Sequence, residues 1–259
     1  MSTFVSLRAH QFAYFDPELG HPDWAGATVL DFGGNAGNIL LDPHCTIRPE
    51  NYWSVDISRD AISVGERRHP RAHFVWYDRY NFEFNPTGTP GLPIPDLGRR
   101  FDIILAYSVF DHTPRAEMLE LVDQLRAMLT ADGVLAFTFV DPNYDPPAGW
   151  IDEERGDEVP GADNLLWRLT LGLGAEEAAR MAAGVPRREL TWVTLVNGVE
   201  LVLGSGDDWV YTGHDQPRYF TFCTEEHMRV LYPDAEILPP VAPQRQSCCV
   251  VGRKELHGN

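Results

Sequence analysis

A strand that runs straight into a glycine turn leaves a chain few folds to adopt, and residues 28–38 are such a run. Val29 and Leu30 lead into Asp31 and Phe32, then Gly33, Gly34, Asn35 and Gly37 follow before a short helix begins near 37. A second strand, Tyr52-Trp53-Ser54-Val55, ends in another acid, Asp56. Glycines at such a turn let backbone approach a ligand closely, and an acid closing the next strand can accept both hydroxyls of a ribose. The pair suits a ligand that carries a nucleoside. Glycines at 33, 34 and 37 do not form the Gly-x-Gly-x-x-Gly of a phosphate-binding turn, which argues against a nicotinamide-dependent oxidoreductase or a sugar-nucleotide enzyme.

The rest of the first half alternates strand and helix. Ser58 is a good N-cap for a helix to about Arg68, strand three covers 72–76, and the proline- and glycine-rich stretch 85–98 reads as a loop. Strand four, 101–106, is apolar enough to be buried on both faces. Thr113 and Pro114 read as N-cap and first residue of a helix carrying Met118, Leu121, Val122 and Leu125 on one face, and Asp132-Gly133 turns the chain into strand five at 134–140. This order predicts a doubly wound, mostly parallel sheet. Beyond Val140 the pattern breaks. A helix is expected around 174–183, and Asn197-Gly198 between two β-prone runs (191–196 and 199–203) is a type I′ hairpin signal. Thr224 caps a last helix to about Leu231, and two short strands follow near 235–238 and 246–252.

The chain has 259 residues and a formal net charge of −17. A surface this acidic repels phosphate backbones, so a nucleic-acid substrate is disfavoured. No apolar run reaches the ~18 residues of a membrane span, and the N-terminus lacks the pattern of a signal peptide. Cys45, Cys223, Cys248 and Cys249 have no metal-ligand spacing, and free thiols in a reducing cytoplasm are the plain reading. Arginine in place of lysine (Lys254 stands alone), with abundant alanine and glycine, points to a GC-rich bacterial genome.

The spacing Asp31-x-Gly33-x-x-x-Gly37 resembles the first motif of the class I S-adenosylmethionine-dependent methyltransferases. The usual third glycine of that turn is replaced by Asn35, which tolerates positive φ better than other residues with a side chain. The resemblance covers roughly 25–140 and, more loosely, 217–253. It implies a single domain over 1–259: a Rossmann-like α/β sheet with a final antiparallel strand and an insertion at 141–215, holding a helix and a β-hairpin, that serves as lid or dimerisation element. By position it implies that Asp31, Gly33, Gly34, Asn35 and Gly37 surround the methionine part and ribose of S-adenosyl-L-methionine. Asp56 would hold the ribose hydroxyls and Ile57 would pack on adenine. Asp78, with Arg79 nearby, would accept from the adenine amino group, and Tyr107 would offer its carbonyl to the cofactor's ammonium.

His112, just after strand four, is the best-placed of the histidines for a general base, against the plainer reading that Asp111 and His112 only cap the following helix. Asp141-Pro142-Asn143 faintly resembles the ligands of metal-assisted O-methyltransferases, yet Tyr107 stands where those enzymes need an acid, so no metal is expected. The aromatics Phe12, Tyr14, Phe15, Trp150, Trp167, Trp192, Trp209, Tyr211 and Tyr219 would line a substrate wall, fill the core under the insertion, or form a homodimer contact. The expected activity is cytoplasmic O- or N-methylation of a small-molecule acceptor in specialised metabolism. Its rivals are a protein or carrier-bound substrate, and a cofactor-binding protein without transfer.

Overall fold

The computed structural model describes residues 10–81, 84–141, 192–196, 210–211, 219–240 and 246–252. Helix α1 (Gln11–Glu18) leads into β1 (Val29–Phe32), and a 3-10 turn at Asn38–Leu41 follows. Then come β2 (Tyr52–Asp56), α2 (Arg59–Arg68), β3 (His73–Trp76), β4 (Phe101–Ala106), a 3-10 turn at Phe110–His112, α3 (Arg115–Ala127) and β5 (Leu129–Phe139). After these lie β6 (Trp192–Val196), β7 (Val210–Tyr211), β8 (Tyr219–Cys223), α4 (Glu225–Leu231), β9 (Glu236–Leu238) and β10 (Ser247–Val251).

Seven strands form one sheet in the order β3-β2-β1-β4-β5-β10-β9. The first five run parallel, and β10 is antiparallel to both β5 and β9. The order reverses between β1 and β4, and in open parallel sheets that crevice, at the carboxyl ends of the strands, is where ligands bind. β1, β2 and β10 are buried along their whole length, as strands covered on both faces must be. Alternation sorts their side chains between two cores. Leu30, Phe32, Val55, Ile104 and Cys249 join the face covered by Met118, Leu121, Val122 and Leu125 of α3 and Met228 of α4. Val29, Tyr52, Leu105 and Cys248 join the other, beneath Phe12 and Phe15 of α1 and Trp24. The neighbouring cysteines thus divide between the two faces, both buried and both free thiols.

Most expected elements are found where the sequence reading puts them, with three differences. Strand five begins at Leu129, not at 134. Its register with β4 jumps from Phe101↔Leu129 to Ile103↔Val134, so Asp132-Gly133 lies inside a bulge of the strand. A side chain at 133 would come within 2.7 Å of the Phe101 carbonyl, which explains the glycine there. Thr113 does not cap α3. Its hydroxyl donates to the Val109 carbonyl (2.8 Å), and Pro114 stands at the cap position with no side-chain bond. Finally, β6 pairs antiparallel with β8 and parallel with β7, making a three-stranded sheet. The expected helix at 174–183, the Asn197-Gly198 turn and the strand at 199–203 lie outside the described residues. Ser58 and Thr224 cap as expected, accepting from Ala61 and His227 N–H at 3.3 and 3.1 Å.

Candidate functional site

The residues singled out from the sequence come together at the carboxyl ends of β1, β2, β3 and β4. After β1 the backbone takes left-handed φ three times, at Gly33 (77°), Asn35 (51°) and Gly37 (76°). Gly34 is glycine for a different reason: a Cβ there would lie 2.6 Å from the Asp31 carboxyl group and 2.8 Å from Ser54 Oγ. Asp31 is only 2% exposed, and its Oδ2 accepts from the Tyr52 hydroxyl at 2.7 Å. Burial pushes its pKa up to about 7, while the tyrosine bond pulls the other way.

Asp56 joins the first two loops. Its Oδ2 accepts from the Asn35 N–H (2.8 Å) and its Oδ1 from the Ser58 N–H (2.7 Å), while burial raises its pKa to about 6. Each carboxylate oxygen has a further lone pair, so the group can still accept from a diol. Ile57 is half-buried, packs on the core below, and accepts the Trp76 indole N–H on its carbonyl (3.2 Å). The Arg59 guanidinium lies 5.0 Å over that indole ring. Asp78 accepts from Asn85 Nδ2 at 3.1 Å, so the loop after β3 folds back on it.

Arg79, next in sequence, is drawn into the fold. It is 4% exposed, and its guanidinium binds Glu117 and Glu120 of α3, the Tyr77 hydroxyl and the Leu92 carbonyl. With its donors committed there, the guanidinium ties the β3 loop to α3. The reason is position: a buried arginine opposite two carboxylates on consecutive turns of a helix satisfies its fork locally.

The loop after β4 closes the other side. Tyr107 packs its ring edge-to-face among His10, Tyr14 and Phe15, which makes α1 the wall at this point. Ser108 adopts φ 52°, unusual for a residue with a side chain, and its N–H donates to Thr138 Oγ1 at 2.8 Å. Val109 meets the first loop, since a Cβ on Gly33 would lie 2.4 Å from Val109 Cγ2. Asp111 Oδ2 accepts from Ser108 Oγ (2.7 Å) and Gln246 Nε2 (3.3 Å), with His112 Nε2 at 3.7 Å. The His112 ring is 18% exposed, stands edge-on to Phe84, and its carbonyl accepts from Asn81. Ser108, Asp111, Thr138 and Gln246 were not singled out as site residues from the sequence. No spacing marks them, because Thr138 and Gln246 reach the 108–111 loop only through β4, β5 and β10 being neighbours.

Asp141 Oδ2 accepts from the Glu225 N–H at 2.9 Å, capping α4 as a strand-ending acid. Among the described residues no three potential ligands cluster as a metal site, and no helix is long and apolar enough to cross a membrane. Two surface depressions lie away from the strand ends. One of about 620 Å³ runs beside edge strand β3, near Trp53, Phe74 and Leu97. The other, about 420 Å³, lies at the amino ends of β4 and β5, near Gly26, Asp102 and Asp132. Neither is lined by the glycine turn or its two acids.

Residues 30–135 match a family model described as a methyltransferase domain. That segment contains the turn, Asp56, Asp78 and the β4 loop, so the chain is similar, over the part that carries the candidate site, to a methyltransferase domain. Its fold is similar to that of PH0226 protein from Pyrococcus horikoshii OT3 (TM-score 0.55, 14% identity, covering 98% of this chain and 96% of that one). It is also similar to the glycopeptide N-methyltransferase MtfA, solved with S-adenosyl-L-homocysteine (TM-score 0.51, 12% identity, covering 96% and 91%). A search of curated proteins found no match.

Proposed function

We propose that this methyltransferase methylates an oxygen or nitrogen of a small-molecule acceptor, working in the cytoplasm without a nucleic-acid or membrane partner. The observation that carries the cofactor assignment is the bond from the Asn35 N–H to Asp56 Oδ2, which draws two loops into one cradle lined by left-handed backbone. In this reading Asp31, Gly33, Gly34, Asn35 and Gly37 surround the methionine part and the ribose, and Asp56 accepts the ribose hydroxyls. Ile57 packs on adenine, Asp78 accepts from its amino group, and the Tyr107 carbonyl receives the ammonium.

When bound, the cofactor supplies a methyl group activated on a sulfonium. The chain's contribution is chiefly alignment, which can supply ~7–11 kcal/mol. His112 takes the proton of a protonated acceptor atom, an effect worth about 10²–10⁴-fold. A small acceptor is supported by the net charge of −17, which disfavours nucleic acid. The glycopeptide N-methyltransferase of the same fold supports an acceptor nitrogen as one of the two options.

Calorimetric titration with S-adenosylhomocysteine and with NAD tests the cofactor. The first should bind and the second should not; binding of NAD alone overturns the reading. Incubation of the chain and a bacterial extract with methyl-labelled cofactor tests the acceptor. Label is expected in the small-molecule fraction and should vanish in His112→Ala while S-adenosylhomocysteine still binds. Label confined to protein would replace the small acceptor by a macromolecular one.

A further inference from the structure

We propose that Asp111 and Gln246 receive an amino group of the methyl acceptor. This rests on the reading above and narrows its acceptor from an oxygen or nitrogen compound to a molecule bearing an amine.

Asp111 lies in the 3-10 turn after β4, and its side chain is 2% exposed. All its described bonds fall on Oδ2, which takes Ser108 Oγ and Gln246 Nε2. Oδ1 is buried and has no hydrogen-bond partner among the described residues, and the same is true of Gln246 Oε1. The two side chains are joined by the Gln246 Nε2 bond, so both deficits belong to one cluster. A buried polar atom without a partner is costly and rare enough to ask for an explanation.

Both deficient atoms are acceptors, so the cluster lacks donors. A hydroxyl brings one; a protonated amine brings three and adds a charge opposite to that of Asp111. The position fits an acceptor. Val109 abuts Gly33 of the glycine turn, and His112 follows Asp111 directly. Ser108 is held at φ 52° by its bond to Thr138, and in that conformation its hydroxyl reaches Asp111. Backbone held in such regions concentrates where function requires it. Neither acceptor oxygen is reached by solvent, so the Gln246 carboxamide must yield as the amine enters. That makes Gln246 both partner and reporter.

The test uses the full chain labelled with ¹⁵N, with the Gln246 side-chain amide signals identified by their loss in Gln246→Met. The probes are phenethylamine and 2-phenylethanol, which share a skeleton and differ in the head group. Phenethylamine should shift the Gln246 signals saturably, at a concentration about tenfold below that needed for the alcohol, as a charge-assisted bond predicts. Asp111→Asn keeps the shape and should abolish that preference, while its binding of S-adenosylhomocysteine shows that it is folded. Equal responses to the two probes, no response to the amine, or a preference that survives Asp111→Asn each overturn the proposal. Failure of the wild-type chain to bind S-adenosylhomocysteine would overturn only the cofactor reading, because the amine titration is read separately.

Discussion

The two sides of the strand-end crevice are built from different materials. On the β1–β2 side, left-handed backbone at three positions in five residues is clasped by one carboxylate that accepts two main-chain N–H groups. On the β4–β5 side, the side chains of Ser108, Asp111 and Gln246 bond to one another, Thr138 Oγ1 accepts the Ser108 N–H, and two acceptors of the cluster lack donors among the described residues. The first side needs no rotamer search to be competent, as suits a cofactor that is the same in every turnover. The second can be rewritten by single substitutions, as suits an acceptor that differs between enzymes of one fold.

The largest break in this contrast would come from Asp56→Ala. It strands the Asn35 and Ser58 N–H groups and removes the carboxylate proposed to hold the ribose hydroxyls, so affinity for S-adenosylhomocysteine should fall about 100-fold by calorimetry. A loss below threefold would mean that the clasp is structural only. Gly33→Ala probes the seam between the sides. It forces a side chain onto φ 77° and against Val109, and should cost about 2–3 kcal/mol in denaturant unfolding. Adding Val109→Ala should recover the steric part and leave the backbone part, a coupling that a double-mutant cycle measures.

Arg79→Met should cost about 1–3 kcal/mol in stability. Glu117 and Glu120 remain partly solvated, which keeps the loss moderate. Its affinity for S-adenosylhomocysteine should be unchanged. A large affinity loss would return Arg79 to the cofactor side.

The pH dependence separates binding from folding. With Asp56 titrating near 6 and its ionised form the stronger acceptor for a diol, affinity at pH 5 should fall by up to about tenfold below that at pH 7.5. Stability moves the opposite way. Asp31 and Asp56 hold folded pKa values above the unfolded value of 3.8, so the folded state binds more protons between about pH 4 and 7. Their contribution is complete below pH 4 and is lost as pH rises through 6 and 7. Asp31→Asn should flatten that decline in a series of melting temperatures. The smallest effect is expected from Thr138→Val, which removes the acceptor of the Ser108 N–H and should cost about 1 kcal/mol. An unchanged melting temperature there would mean that Ser108 keeps its left-handed backbone without help.

Particular residues show what the linear pattern could reveal. The turn at 33–37 was legible because glycine and asparagine announce positive φ by their chemistry, and Asp56 because an acid ending a buried strand breaks its apolar run. Ser108 announces nothing, since serine is rarely chosen for such backbone and only the Thr138 bond accounts for it. Arg79 follows Asp78 in sequence, a proximity that suggests a shared ligand for the two side chains. Glu117 and Glu120, some forty residues away in sequence, claim its guanidinium instead. The strand-five start was misplaced because Asp-Gly is a common turn signal, and a bulge uses the same residues.

The sequence by itself determined the strand periodicity, the alternation with helices and the glycine turn, because these depend on side-chain pattern and backbone freedom over a few neighbouring residues. Which carboxylate stays open to a ligand was decided only by the tertiary structure. That outcome depends on which donors the sheet order brings within three ångströms: Arg79 went to the acids of α3, Asp56 to two main-chain amides, and Asp111 kept one oxygen unclaimed among the described residues.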